Sequence, residues 1–461
     1  MPVRLDWNLP VVVVCNISET FFDFLSRAED DQTSTRLIHG EQFRGDRSLV
    51  WLGDPKLVIV TFPIPHAEDL CRSLGYHGTR HLAPASPSPW LSLDILREHG
   101  LLEAIVEYAG PGRTIQLIPY ATTPQFHQLV QALRSRHHLN VILPESPAPE
   151  AMWLRDYIDT KAGFRVLASR WLPDPGRLPL GMVCYDLHQA AEIALWFGAT
   201  GRSCVLKADI GENGIGNYIV APGRFSSAEA IEAELQHNTF LRADAITVEE
   251  FIPSAGQLSP SLELYVPPPA QGRPEITYLS RQLFLEFGDF CGVLVSRELQ
   301  EAPWYAALAE QGLLIAGQLQ ALGYVGHFDL DAVVDDQQRA FLLEINSRRT
   351  GGTHVHEFAQ FAYGPDYLQR LALLSNDAIP CPAIADYAQL RAAVGDLLYP
   401  MPDGPRGVII TGTSALAAHE FGAILVGASV AEVSELQRRL TERVQTVASA
   451  AVNSPVRDLV A

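Results

Sequence analysis

The sequence predicts an α/β protein with an α+β central part, on three observations. Before about residue 145, short apolar runs alternate with helical patterns, which is typical of a parallel sheet covered by helices. After about residue 258 the pattern changes to runs that favour antiparallel pairing. The chain has 461 residues, 47% of them hydrophobic, so it is too long for one core and predicts two to four compact units.

The first predicted unit spans residues 1–150 and is a parallel α/β domain. Its continuous apolar runs are expected of strands buried on both faces. These runs lie at 10–15, 57–62, 114–118 and 140–144, with a helix at 124–137 between the last two. The segment 146–150, rich in proline, predicts a linker.

Three further units are predicted after the linker. Residues 151–250 contain helical patterns at 156–171 and 186–198, strands at 203–208 and 245–252, and a glycine-rich loop at 209–217. Residues 251–394 contain strands at 262–266 and 276–287, helices at 302–322 and 365–375, and a hairpin at 328–346. Residues 395–461 form a small C-terminal domain that ends in a charged amphipathic helix at 430–448.

Composition excludes several classes of function. The formal net charge of −19 disfavours nucleic acid and anionic membrane surfaces as partners. The six cysteines show no zinc spacing and fit a reducing compartment. The apolar run VVVVC near the N-terminus is too short for a signal peptide or a spanning helix. We therefore expect a soluble cytoplasmic protein without a membrane partner.

A lysine inside an apolar strand is the first candidate for chemistry. Lys207 lies in the run CVLKA, where an unpaired charge is expensive, so an anion should face it. Gly211, Gly214 and Gly216 follow at once and let backbone amides approach phosphate oxygens. The loop lacks the GKS or GKT of a Walker A motif. The alternative is an edge-strand lysine whose amine reaches water beside an ordinary loop.

The hairpin at 328–346 is the stronger signal. If Val334 and Arg339 flank a four-residue loop, Asp329 lies opposite Glu344 and Asp331 lies opposite Leu342. The two aspartates, Glu344 and Asn346 then share one face, and such oxygen ligands suit Mg²⁺. A change of one residue in the loop would reverse this match. The alternative is the polar, solvent-facing side of an antiparallel sheet.

Two segments near these motifs complete the candidate set. Arg348 and Arg349 follow the hairpin directly, and arginine beside a carboxylate–metal cluster suits a transferring phosphoryl group. The segment Glu249, Glu250, Phe251 and Ile252 comes between the lysine strand and the hairpin, where a hinge between subdomains is expected. By composition alone it is only a strand end with exposed acids.

The order of these pieces resembles the ATP-grasp superfamily over about residues 155–350. The resemblance implies ATP and Mg²⁺ as cofactors, with Lys161 and Lys207 as the ATP lysines and Glu250 and Ile252 as the hinge that holds adenine. It makes Asp331, Glu344 and Asn346 the magnesium ligands, and Arg348 the arginine of the E-x-N-x-R motif. Ser347 departs from the proline that the superfamily often has before that arginine.

The N-terminal domain with VVVVCNISETFFDFLSR, the stretch EINSRRTGGTHVHEF and the C-terminal domain resemble the PGM1-like peptide ligases of natural-product biosynthesis. Those ligases carry a pre-ATP-grasp domain and an extra C-terminal domain. This resemblance implies an amide bond between an amino acid and an amino acid or peptide, formed through an acyl phosphate. Arg281, Arg349, His354 and His356 are candidate substrate contacts, and the two histidines are expected to face one side of an extended segment. The alternatives are a solvent-facing strand position for Arg281 and local hydrogen bonding in a loop for the histidines.

Other functions stay open at this stage. One alternative loads an amino acid onto a carrier protein, and another is a carboxylase-type ATP-grasp enzyme. A third is a nucleotide-binding protein without catalysis, which the presence of Asp331, Glu344 and Asn346 disfavours. The sequence identifies neither the acid nor the amine, and it leaves the oligomeric state open, with a homodimer as one expectation.

Overall fold

The computed structural model describes residues 5–452, apart from 213, 243, 255 and 286–288. The N-terminal part, described without gaps from residue 5 to residue 150, is a parallel sheet covered by helices. Its strand order is β3-β2-β1-β4-β5. The strands are β1 Val11–Val14, β2 Leu57–Ile59, β3 Arg80–Leu82, β4 Thr114–Pro119 and β5 Asn140–Ile142. The helices are α1 Ile17–Leu25, α2 Asp31–Phe43, α3 Ala67–Leu74, α4 Leu91–Arg97, α5 His99–Ala109 and α6 Pro124–Ser135.

The predicted parallel layer is therefore confirmed. The run VVVVC forms β1, the central strand, whose valines are no more than 1% exposed. Hydrophobic side chains cover both of its faces, which is why the strand reads as a continuous apolar run and not as an alternating one. Helix α6 begins where Thr123 accepts a hydrogen bond from the Phe126 amide and Pro124 occupies the first turn.

The second part of the chain contains an antiparallel sheet with the order β6-β9-β7-β8 among the described residues. Its strands are β6 Gly181–Cys184, β7 Cys204–Ala208, β8 Asn217–Val220 and β9 Ile246–Glu250. Its helices are α7 Met152–Ile158, α8 Lys161–Trp171, α9 Leu187–Ala199 and α10 Ala228–Leu235. The helical pattern at 156–171 therefore falls in two helices. α7 ends before Asp159, and Thr160 caps the start of α8.

The third sheet is antiparallel and, in the described part of the chain, has the order β14-β13-β10-β11-β12-β15-β17-β16. Its strands are β10 Pro260–Val266, β11 Glu275–Phe284, β12 Phe290–Val295, β13 Gly326–Val334, β14 Ala340–Asn346, β15 Ala372–Pro380, β16 Gly407–Gly412 and β17 Glu420–Gly427. The helices are α11 Arg297–Gln300, α12 Tyr305–Ala321, α13 Thr353–Tyr363, α14 Tyr387–Val394 and α15 Val430–Val452.

Two predictions about this region are wrong. The helix predicted at 365–375 is absent: the described chain there makes one short helical turn at Tyr367–Gln369 and then enters β15. The segment around His354 and His356, predicted to be extended, is helix α13. The domain boundaries remain predictions, and the large sheet continues across the one at residue 395, because β16 and β17 extend it.

The N-terminal part and the large sheet share a hydrophobic core. Val13 and Trp51 belong to the same buried cluster as Val293, Phe358 and Val426. The six cysteines are buried and form no disulfide. Within the described residues, no helix is long and apolar enough to cross a membrane.

Candidate functional site

A cleft of about 380 Å³ lies between the four-stranded sheet and the large sheet. The four-stranded sheet contributes Lys207 of β7 and the hinge that follows β9. The large sheet contributes polar side chains of β10, β11, β13 and β14. Of the residues predicted for the site, the cleft is lined by Lys161, Lys207, Gly211, Gly214, Glu249, Glu250, Phe251, Ile252, Asp331, Glu344, Asn346 and Arg348.

Lys161 reaches the cleft from the first residue of α8. The Thr160 hydroxyl accepts a hydrogen bond from the Gly163 amide (2.9 Å), which fixes where the helix begins. Lys161 Nζ lies 3.0 Å from Glu344 Oε2, although the side chain is only 7% exposed. Burial lowers the pKa of Lys161, but Glu344 together with Asp159 and Asp209 more than offsets this, so the pKa is raised. The amine is therefore held as a cation beside the hairpin.

Lys207 is held by Glu249. Its Nζ lies 2.7 Å from Glu249 Oε2, while the other oxygen of that carboxylate accepts from Arg165 Nη1 at 2.9 Å. All three side chains are largely buried. Glu249, predicted with the hinge segment as a nucleotide contact, thus fixes the position of Lys207 inside the strand pair of β7 and β9.

The hinge residues form one wall of the cleft. The Glu250 amide donates to the Leu180 carbonyl (2.7 Å) and the Phe251 amide donates to the Ser203 carbonyl (2.9 Å). The Glu250 carboxylate lies 3.3 Å from Arg202 Nη1. The apolar side chains of Val205 and Ile219 from the same sheet, and of Leu343 from β14 of the large sheet, also line the cleft here.

The hairpin pairs its carboxylates in a register different from the predicted one. Asp331 lies opposite Glu344, and Asp329 lies opposite Asn346, whereas Asp329 was expected opposite Glu344. The loop is one residue longer than predicted, because Val334 pairs with Ala340. A bulge between Asp331 and Ala332 restores the alternation, so the four polar side chains share the cleft face as predicted.

These carboxylates are buried and partly unsatisfied. Asp331 accepts from Gln282 Nε2 (2.9 Å) and Asn346 Nδ2 (3.1 Å), and Asp329 Oδ2 accepts from Ser261 (2.9 Å). Asp329 Oδ1 is buried and has no hydrogen-bond partner among the described residues. Burial, together with the charges of Asp329 and Glu344, raises the pKa of Asp331 well above its usual range. Burial raises the pKa of Asp329 to about 7.

The carboxylate and amide oxygens of the hairpin fit a cation that a bound ligand would also coordinate. One oxygen of Asp329 is unsatisfied, and carboxylate and amide oxygens are hard ligands suited to Mg²⁺. Among the described residues, no group of three or more His, Cys, Asp or Glu side chains is arranged to hold a metal ion by itself. Mg²⁺ is usually bound by one or two carboxylates plus substrate phosphates, so a closed cage is not required.

Arg348 is held by a residue that the sequence analysis missed. Its Nη2 lies 2.7 Å from Glu212 Oε2, and its guanidinium lies over the ring of Phe21 (4.8 Å to the centroid). Burial raises the pKa of Glu212 to about 7, although Arg348 opposes this shift. Glu212 belongs to the glycine-rich loop, where an acid is unexpected if the loop holds phosphate. The acid in a loop predicted to hold phosphate was therefore the sequence feature that could have indicated the role of Glu212.

The glycine-rich loop is packed closely over the lysines. A Cβ at Gly211 would lie 3.1 Å from Lys161 Nζ. Gly216 has φ +87° and faces Ala208 of β7, so a side chain there would be strained and would collide. Residue 213 of the predicted loop lies outside the described residues.

Ser347 stands where the ATP-grasp superfamily often has proline, and its hydrogen bonds account for the difference. Its amide (2.7 Å) and its hydroxyl (2.8 Å) both donate to Asp159 Oδ1. Proline has no amide hydrogen and could not form the first bond. The pair connects the end of the hairpin to the start of α8 and thereby fixes Arg348 relative to Lys161.

The structure does not bring the four substrate candidates into the cleft. Arg281 alternates with the cleft-lining Ser280 and Gln282, so it points to the other face, and it donates to the Gly256 carbonyl at 2.8 Å. His354 is fully buried, and burial lowers its pKa to about 4. His356 contacts the Tyr367 hydroxyl (2.9 Å) and stacks on Tyr278.

Arg349 forms a buried ion cluster behind the cleft. It donates to Glu145 through Nε (2.9 Å) and Nη2, and to Glu357 through Nη1 (2.8 Å). Its guanidinium lies 4.9 Å from the centroid of Trp51, and its side chain is 1% exposed. Arg348 and Arg349 therefore differ sharply in surroundings although they are neighbours in sequence.

Comparisons with solved structures show the fold. A biotin carboxylase from Campylobacter jejuni, in a complex with a β,γ-ATP ligand, has a TM-score of 0.54 at 12% identity, covering 97% of this chain and 96% of its own. An N5-carboxyaminoimidazole synthase from Aspergillus clavatus, in complex with ADP and 5-aminoimidazole ribonucleotide, has a TM-score of 0.51 at 11% identity (95% and 100%). An ADP complex of an N5-carboxyaminoimidazole ribonucleotide synthetase has a TM-score of 0.51 at 10% identity (96% and 97%).

No family model matches the sequence, and no curated protein matches it. At identities this low, structural similarity establishes architecture alone. The similarity spans nearly the whole chain, so the chain has the ATP-grasp fold, and the predicted fold class is confirmed.

Proposed function

We propose that this protein is an ATP-dependent carboxylate–amine ligase that joins an amino acid to an amino acid or a peptide in natural-product biosynthesis. The observation that supports this most strongly is the convergence of charge in one cleft. Lys161 and Lys207 face the acidic hairpin, and Arg348 lies at its end. Cations for phosphates, oxygen ligands for a metal ion and an arginine for a developing oxyanion are what phosphoryl transfer to a carboxylate requires.

The nucleotide would lie along the wall made by the hinge. Val205, Ile219 and Leu343 offer apolar surface for adenine beside the backbone of Glu250 to Ile252. Lys161, Lys207 and the amides of the glycine-rich loop would neutralise and hold the phosphates.

Mg²⁺ would be held by Asp331, Glu344 and Asn346, and it would neutralise phosphate charge during transfer. The chain itself orients the substrates and excludes water from a labile intermediate. A carboxylate oxygen attacks the γ-phosphorus, and the bond to ADP breaks. The amine nitrogen then attacks the acyl carbon, phosphate leaves with the bonding electrons, and the nitrogen loses a proton.

Arg348 would stabilise the negative oxygens in both steps. An anionic substrate that binds Arg348 Nη2 would displace Glu212 from its 2.7 Å contact. The pKa of Glu212, raised to about 7 by burial, makes its carboxylate easier to neutralise on release. Loading of the site and movement of the glycine-rich loop are therefore coupled in this proposal.

A carboxylase-type reaction is the second candidate, because the similar structures include a biotin carboxylase. In that case bicarbonate would be the acid. Loading of an amino acid onto a carrier protein would use the same phosphoryl chemistry with a different acceptor. Phosphate release that requires bicarbonate, or a carrier protein, would identify these cases.

The experiment that tests the proposal measures phosphate release from ATP and Mg²⁺ across amino acids, peptides, bicarbonate and carrier proteins, added singly and in pairs. A ligase requires one acid and one amine, and gives a product lighter than their sum by one water. Release that needs bicarbonate alone, or no release with any pair despite measurable ATP binding, would contradict it.

A further inference from the structure

The cleft continues past the acidic hairpin along the face of β11 and β12. Gln282, which donates to Asp331, lies opposite Val293. Two residues further along β11, Phe284 lies opposite Phe290, and both line the cleft. Because a strand rises about 3.4 Å per residue, these rings begin roughly 7 Å beyond the residue that contacts the metal-binding carboxylate.

The opposite side of this extension is the chain between Arg348 and helix α13. A Cβ at Gly351 would lie 2.7 Å from the Phe290 ring, and one at Gly352 would lie 2.6 Å from the Tyr278 hydroxyl. A side chain at either position would press against these rings, so the two glycines keep this side of the space free of side chains. Arg348 Nε, buried at the mouth of this space, has no hydrogen-bond partner among the described residues.

The extension is mainly apolar beyond its mouth. Its described lining residues beyond Arg348 and Glu212 are Ile215, Phe284, Phe290, Val293 and the two glycines, with the hydroxyl-bearing Ser280 and Thr350 as its uncharged polar members. Arg47 lies behind Gly351, but its guanidinium is paired with Asp377 at 2.8 Å, and both side chains are 9% exposed. A charged group in this space would lose its hydration without gaining a counter-ion.

We propose that Phe284, Phe290 and Val293 form the side-chain pocket for the acid substrate, and that this acid is an amino acid with an apolar side chain of leucine to phenylalanine size. The inference rests on the ligase function proposed above and specifies its substrate class. The carboxylate lies at the mouth, next to Arg348 and the metal-binding carboxylates, and the side chain extends along the aromatic wall. Apolar burial supplies the selectivity, because polar analogues of equal size lose hydration there.

The test uses hydroxylamine as the amine, so that the natural amine need not be known. With ATP and Mg²⁺, the acid forms an acyl phosphate, hydroxylamine nitrogen displaces phosphate, and a hydroxamate results. Leucine is compared with asparagine, and phenylalanine is compared with glutamate and lysine. We expect kcat/KM for leucine and phenylalanine to exceed that for the polar amino acids at least tenfold.

Variants at Phe290 give the sharper result. Phe290→Ala should raise KM for phenylalanine about tenfold or more, and leave KM for ATP unchanged, because a partner surface for the side chain is lost. Phe290→Leu keeps apolar surface, so it should retain folding and most of the selectivity. Leu313→Ala is the matched control, because Leu313 is 41% exposed on α12 and does not line the cleft.

The experiment distinguishes failure of the pocket proposal from failure of the ligase function. Hydroxamate formed best from polar or charged amino acids, or a substrate ranking that is unchanged in both Phe290 variants, would overturn the pocket and leave the ligase function standing. No hydroxamate and no ADP from any carboxylic acid, in protein that binds ATP, would overturn the ligase function and the pocket with it.

Discussion

Replacing Arg349 by methionine tests whether Arg349 stabilises the fold, in contrast to its neighbour Arg348, which is proposed to act on the substrate. Arg349 is 1% exposed and donates to both Glu145 and Glu357. The variant leaves two buried carboxylates without their shared cation. Breaking a buried ion pair by removing one partner costs about 3–5 kcal/mol, and Arg349→Met should destabilise the fold by that amount.

The pH dependence of this loss is part of the prediction. In the variant Glu145 keeps His327 at 3.4 Å, but both carboxylates lose Arg349, so burial opposes their charge and protonation relieves part of the cost. A carboxyl group with a raised folded pKa loses stability as pH rises above its unfolded pKa, near 4.3 for glutamate. The stability difference between Arg349→Met and the wild type should therefore be smaller at pH 5 than at pH 7.5.

Unfolding in urea, followed by circular dichroism at both pH values, measures this difference. The double variant Arg349→Met with Glu357→Gln is the control, and it should recover part of the loss because one buried charge is removed. An unchanged unfolding midpoint for Arg349→Met, together with a higher KM for the acid substrate, would refute the structural role. Arg349 would then be a substrate contact, as the sequence first suggested.

Three further predictions concern single side chains. Glu344→Gln should lower phosphate release at least a hundredfold, with an unchanged unfolding midpoint, because glutamine still accepts from Lys161 but cannot neutralise a metal ion. Lys207→Ala should weaken ATP binding at least tenfold by calorimetry, while Arg165 still pairs with Glu249 and keeps the strand intact. Lys56 is fully buried, and burial lowers its pKa to about 7. The unfolded chain therefore holds a proton that the folded chain lacks between about pH 7 and 10.5, and stability should rise there by about 1.4 kcal/mol per pH unit. Lys56→Met should remove that rise in urea unfolding measured from pH 7 to 9.

Each of these has a clear contrary result. Unchanged turnover in Glu344→Gln would contradict the metal site, and unchanged ATP affinity in Lys207→Ala would contradict the phosphate contact. Equal pH slopes in Lys56→Met and the wild type would show that the lysine stays charged when folded.

The hairpin shows how far sequence reasoning could go. Alternation along the strands predicted that Asp331, Glu344 and Asn346 share a face, and they do. The pairing was wrong because the loop is one residue longer and a bulge compensates for it. The longer loop and the bulge each shift the pairing by one residue, so together they return the polar side chains to one face. Nothing in the local sequence indicates a bulge at Leu343, opposite Asp331 and Ala332, because the bulge depends on pairing with the neighbouring strand.

The remaining errors come from tertiary context. The helix predicted at 365–375 overlaps the start of β15, where the chain pairs with β12 and β17 instead, and that pairing determines the strand. The surroundings of Arg348 and Arg349 depend on Glu212 and Glu145, which lie far away in the chain. The aromatic pocket depends on the pairing of β11 with β12, which the sequence analysis did not predict.

The most direct test of the ligase function follows oxygen from the acid substrate. When the acid identified by phosphate release is supplied with ¹⁸O in its carboxylate, attack on the γ-phosphorus and displacement by the amine transfer one ¹⁸O into the released phosphate. Phosphorus NMR or mass spectrometry detects the shift. We expect one labelled oxygen in each phosphate released by the wild type, in step with amide formation. Unlabelled phosphate accompanying amide formation would contradict the acyl-phosphate route and the central role assigned to this cleft.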